Sequence, residues 1–265
     1  MQFICYFEGD PKIQLWLEKM LGVKLVMREL PSSNNSKEFT RLPAYVADIL
    51  YLDKPDVIIS GSVDGIHEKP LFSLEFASCT PQYEHALQRF ARMTAAAVGG
   101  CPSAIIIAPK KRENAGGKRV YMRSRALSYG AVKLMDNYNL PAFIFDWPEE
   151  DGNLLTEKGS SYPPLNSPSM EELRSILLDA SLAFENMDYL GSLWRCPSFR
   201  NRVDITRGEA YAAGHPTPSN PGGGDKKSKV KLDIVPTKSL LKQLLAKSSC
   251  FSDIESTMPN FIKKS

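Results

Sequence analysis

An α/β fold is what this sequence predicts: a mixed central sheet flanked by helices, followed by a mainly helical or irregular C-terminal extension. Two apolar runs, SAIIIA at 103–108 and PAFIFDW at 141–147, have the continuous hydrophobicity of strands covered on both faces. Around them, apolar residues recur at helical spacing, and an Asp64-Gly65 pair joins two alternating segments into a hairpin. Strand, helix, strand, helix, strand after a hairpin gives a mixed sheet with helices packed on it.

Taken in order, residues 2–7 (QFICYF) read as a strand, and Asp10-Pro11 opens a helix whose apolar surface is Ile13, Leu15, Trp16, Leu17, Met20 and Leu21, ended by Gly22. Residues 23–30 are strand-like, and the polar run after Pro31 is a loop. From Lys37 to Leu52 the spacing is helical, with Pro43 splitting the segment. Thr80 and Pro81 start a helix that runs to Val98 and carries one polar stripe, His85, Gln88, Arg89 and Arg92, at intervals of three and four. A basic loop with Lys110, Lys111, Arg112, Lys118 and Arg119 leaves the strand at 103–108, and residues 124–138 form a further amphipathic helix. Beyond Pro148 the chain is polar to about 169; a helix capped by Ser169 follows, and then an Arg-rich segment with Trp194, Phe199 and Tyr211 interleaved. Residues 1–150 thus read as the core, 151–213 as an extension, 214–229 as a flexible linker and 230–265 as a basic C-terminal segment.

The hairpin carries the chemistry. A two-residue turn at Asp64-Gly65 places Val63 opposite Ile66 and Asp56 opposite Ser73. Alternation then gathers Asp56, Ile58, Ser60 and Ser62 with Ser73, Glu75 and Ala77 on a mostly polar face, and Val57, Ile59, Phe72, Leu74 and Phe76 on a core face. Asp56 and Glu75 become diagonal neighbours, roughly 7–8 Å apart at the backbone, within reach of one ion. Asp64 is a rival ligand, although its place before Gly65 is explained by turn chemistry.

A chain of 265 residues, 43% apolar, can bury a real core, and a net charge of +3 is compatible with a polyanionic partner. The five cysteines lack paired spacing, which argues against a zinc site and a disulfide framework and for a reducing compartment. No apolar run is long enough to span a membrane and the first residues lack the order of a signal peptide, so a cytoplasmic location is expected. Nucleophile-elbow, P-loop and dinucleotide-binding patterns are absent from the sequence.

Pro55-Asp56 at the head of one strand and Leu74-Glu75-Phe76-Ala77 on its partner, followed by a helix and a buried strand, resemble the PD-(D/E)xK nuclease superfamily, the restriction-endonuclease-like fold. The resemblance covers residues 38–147 and departs from the family at Ala77, where the motif lysine would stand. It implies a metal-dependent endonuclease acting on double-stranded DNA, with Asp56, Glu75 and the backbone carbonyl of Ala77 holding one or two Mg²⁺ ions. His85, Gln88 and Arg89, or Lys110 and Lys111, are the candidates for the missing cation, and Glu38 for an upstream acid. Lys110, Lys111, Arg112, Lys118, Arg119, Arg195, Arg200 and Arg202 are the expected DNA contacts. A type II restriction enzyme acting as a homodimer, a repair or phage-defence nuclease, and a catalytically inactive nucleic-acid-binding domain stay open at this point.

Overall fold

The structure, a computed structural model, describes residues 2–31, 36–78, 83–108, 110–113, 119–122, 125–151, 153–186 and 188–211. The expected linker at 214–229 and the basic segment after it lie outside the described residues, as do Thr80, Pro81 and Lys118.

The chain runs β1 (Gln2–Phe7), α1 (Ile13–Leu21), β2 (Leu25–Glu29), α2 (Ser36–Phe39), α3 (Ala44–Leu52), β3 (Val57–Ser62), β4 (Glu68–Ala77), α4 (Tyr83–Val98) and β5 (Ser103–Ile107). It continues with β6 (Lys110–Glu113), β7 (Arg119–Met122), α5 (Arg125–Tyr138), β8 (Ala142–Asp146), β9 (Glu149–Glu150), β10 (Asn153–Leu154), α6 (Pro168–Ala183), α7 (Tyr189–Arg195) and α8 (Pro197–Tyr211). Pro43 does separate α2 from α3, and Gly22 closes α1 in the left-handed conformation at φ 71°. α6 starts earlier than expected: Pro168 takes its first position, Ser167 is the cap residue, and the Ser167 hydroxyl donates to the Pro164 carbonyl at 2.9 Å. The basic segment after β5 is also more regular than a loop, because β6 and β7 pair as a separate two-stranded antiparallel ribbon.

Six strands form one mixed sheet in the order β2-β1-β3-β4-β5-β8. Only β3 runs against the other five, so the ends of β1, β2, β4, β5 and β8 and the start of β3 share one edge. A larger core cluster joins Val57, Ile59, Phe72 and Leu74 to residues of α1, α5, α6, α7 and α8. A smaller one joins Ile4, Tyr6 and Ile58 to Val46 and Ile49 of α3 and Ala95 and Ala96 of α4. The face expected to be polar is therefore covered: Ser60, Ser73 and Glu75 are all buried beneath α3 and α4.

The hairpin register also differs from expectation. Val57 pairs with Leu74 and Ile58 with Ser73, two positions further along β4 than a two-residue turn would give. The connection runs from Ser62 to Glu68, with Gly65 at φ 76° and Asp64 Oδ1 accepting from the backbone N–H groups of Ile66 and His67 at 2.9 and 2.8 Å. A bulge then leaves Leu71 unpaired between the Ile59–Phe72 and Ser60–Pro70 pairs. It sits beside Pro70, which has no N–H to give to a ladder.

Candidate acidic site at the sheet edge

Asp56 lies immediately before β3, and continuing the register places it directly opposite Glu75 rather than diagonal to it. The two are tied by their own backbone: Asp56 N–H donates to Glu75 Oε2 at 3.2 Å, and Phe76 N–H donates to Asp56 Oδ2 at 2.7 Å. Phe76 is itself anchored on the other face, its ring centroid 5.3 Å from that of Trp16 and 5.0 Å from that of Tyr162, which fixes the N–H that holds Asp56. Asp56 also accepts at its carbonyl from Glu8 N–H at 2.9 Å, joining the pair to the end of β1.

α4 supplies the counter-charges. Arg92 Nη1 lies 3.2 Å from Asp56 Oδ1 and 2.7 and 2.8 Å from the two Glu75 oxygens, and Arg92 Nε is 3.6 Å from Asp53 Oδ1. Arg89 Nη1 donates to Glu75 Oε1. The guanidiniums do not offset burial in full: desolvation and the neighbouring Asp56 charge push Glu75 up to about 7, and desolvation raises Asp56 as well. Glu75 is only 2% exposed, so its charge is a property of this cluster rather than of solvent.

Arg92 Nη1 marks the point from which both carboxylates can be reached at once. Asp56 and Glu75 are the residues that would hold a divalent cation at this edge, in competition with Arg92. Their donors are carboxylate oxygens, the donor type that a hard cation such as Mg²⁺ would require. Ala77 is buried and its carbonyl accepts from Ala108 N–H at 3.0 Å, leaving one lone pair for any further bond. Among the described residues no group of three or more His, Cys, Asp or Glu side chains is arranged to hold a metal.

Other expected site residues separate by position. His85 and Gln88 lie on α4 N-terminal to the two arginines, with side chains outside the described residues. Lys110, Lys111 and Arg112 lie on β6 and Arg119 on β7, close after Ile107, the ladder partner of Ala77. Arg195 and Arg200 are exposed but belong to the far end of the sheet: Arg200 Nε donates to the Trp194 carbonyl, and Trp194 Nε1 donates to the carbonyl of Asn139, ahead of β8. Arg202 departs from the expected DNA contact. It is 4% exposed, donates to the Ile144 carbonyl and to Glu172 Oε2 at 3.2 Å, and stacks on Phe145 with Cζ 4.4 Å from the ring centroid. Asp64 lies at the opposite end of the hairpin from Asp56, where its hydrogen bonds to His67, Ile66 and Ser62 hold its carboxyl below the usual range. Glu38 is exposed on α2.

Arg92 and Asp53 are the members of the cluster that the sequence reading did not select. Arg92 stood in the polar stripe, three residues after Arg89 and hence on the same helical face, and that spacing was the available signal. Comparison with protein-family models, with curated proteins and with solved structures found no match for this chain.

Proposed function

We propose that this chain is a Mg²⁺-dependent endonuclease of the restriction-endonuclease-like fold that hydrolyses phosphodiester bonds in double-stranded DNA, of the type II restriction class. The observation that carries the reading is the direct apposition of the Asp56 and Glu75 carboxylates at one sheet edge around a single cationic atom. Asp56 and Glu75 hold the ion in this reading, and Mg²⁺ when bound supplies an acidified water and neutralises charge on the phosphate. Arg89 takes the place of the lysine missing at Ala77. Its side chain is 36% exposed against 20% for Arg92, so it is the freer of the two to turn from Glu75 to a phosphoryl oxygen, while Arg92 would give up its point between the acids to the ion. An arginine does not give up its proton, so this role is hydrogen-bond donation to the phosphate rather than proton abstraction from water. Cutting both strands calls for a homodimer.

A second reading, a DNA-binding domain without catalysis, is favoured by Ala77 and by the two guanidiniums already engaging the acids. Incubating plasmid DNA with the protein in Mg²⁺ and in EDTA, beside Glu75→Ala, separates the two. Cleavage lost in EDTA and in the variant supports the nuclease; binding without cleavage in Mg²⁺ supports the inactive domain; cleavage that survives both treatments removes the acid pair from the chemistry. Discrete fragments indicate restriction, and a smear indicates a repair or defence nuclease.

A further inference from the structure

Resting on the DNA reading above, we infer that the β6–β7 ribbon is the element that grips the duplex, lying in its major groove beside the acid pair. The ribbon springs from the C-terminal end of β5, whose Ile107 pairs with Ala77, two residues from Glu75. It thus leaves the sheet at the edge where Asp56 and Glu75 meet. Its strands pair with one another and lie in a sheet of their own, apart from the six central strands.

Charge distribution singles the ribbon out. Residues 110–125 contain seven lysines and arginines against one acid, Glu113, whereas the whole chain carries only +3, so the remainder of the chain is net acidic. The acid pair by itself repels phosphates, and a concentrated positive element at the same edge is what holds a polyanion there. Four of them, Lys110, Lys111, Arg112 and Arg119, stand on the paired strands. In the register Lys110 stands opposite Met122, Lys111 opposite Tyr121, Arg112 opposite Val120 and Glu113 opposite Arg119. A ribbon with basic residues on both of its strands suits insertion between two phosphate walls, and a two-stranded ribbon is of the width that a major groove of about 12 Å admits. Arginine forks on such a ribbon meet guanine edges at the groove floor.

The test uses the full chain carrying Glu75→Ala, so that DNA is not consumed, with a fluorescently labelled duplex of about one and a half helical turns and binding followed by anisotropy across a salt series. In that background, Lys110→Gln/Lys111→Gln/Arg112→Gln should weaken binding at least tenfold and lower the slope of log affinity against log salt by about 0.9 per phosphate contact removed. An unchanged melting curve shows that the fold is intact. A charge-preserving variant, Arg112→Lys/Arg119→Lys, should keep the slope but narrow the spread of affinities among duplexes of different sequence. Unchanged affinity and slope in the triple variant overturns the ribbon alone; unchanged sequence discrimination in the charge-preserving variant overturns its place in the groove. A chain that binds no duplex at any salt concentration overturns the underlying DNA reading.

Discussion

Replacing Glu75 with Gln should remove a pH dependence of stability that spans the interval from pH 4.5 to about 7. Burial beneath α4 and the adjacent Asp56 raise this carboxyl from 4.5 to about 7, so it binds a proton more tightly in the folded chain than in the unfolded one. The protonated form therefore stabilises the fold; that contribution is complete below pH 4.5 and is lost as the pH rises through 7. At about 1.4 kcal/mol per pH unit, the interval corresponds to about 3 kcal/mol. Urea denaturation at half-unit steps up to about pH 8 gives the stability of both proteins, and the wild type minus the variant should fall by about that amount across the range. The hydrogen bonds that Gln cannot reproduce add an offset that does not vary with pH. Acids remote from the pair, such as Glu18, held down to about 2 by Gln14 and Lys24, titrate alike in both proteins and cancel. A difference that stays constant across the range would show that Glu75 is ionised throughout, with its arginines outweighing burial.

Arg92→Ala should tighten the binding of divalent cations several-fold by calorimetry, because it vacates the point between the carboxylates; unchanged or weaker binding would show that the arginine does not compete for that point. Arg202→Ala should destabilise the fold by about 3 kcal/mol in a thermal or urea melt, since it strips Glu172 and the Ile144 carbonyl of a buried cation, while leaving DNA affinity intact. Weaker DNA binding with an unchanged melt would place Arg202 on the surface instead. Gly99→Ala drives a methyl into Ile49 Cγ1 and to 3.1 Å from the Tyr45 carbonyl oxygen where α4 closes on α3. A loss of about 1–3 kcal/mol in the same melts is expected, and an unchanged melt would mean that the helices are free to part.

Fold class and the identity of the acid pair were legible because they depend on parity and local pattern. The apolar runs of β5 and β8 could only be covered strands, and moving the pairing by two positions leaves Asp56 and Glu75 on one face. The actual distance across the pair was not legible. It depends on a turn in which Asp64 bonds two backbone amides, and on the extra residue Leu71, both of which a reading from Asp-Gly alone leaves out. Burial of the supposedly polar face was hidden for a related reason: serines and a glutamate look solvated in sequence until α3 and α4 are laid over them. Arg202 shows the converse, since arginines interleaved with aromatics have the same pattern whether they meet a phosphate or a buried carbonyl. The β6–β7 ribbon looked like a loop because Lys, Arg and Glu have little strand preference, and its order comes from local pairing.

The bulge in the hairpin has a use for protein engineering. Because the ladder already slips at Ile59 and Ser60, a change of length at the tip can be taken up there before it reaches Val57 and Leu74. Val63 and Ile66 are exposed at that tip, at the opposite end of the hairpin from Asp56. The tip is thus the natural place to host an inserted domain, with the acid pair mechanically insulated from the surgery.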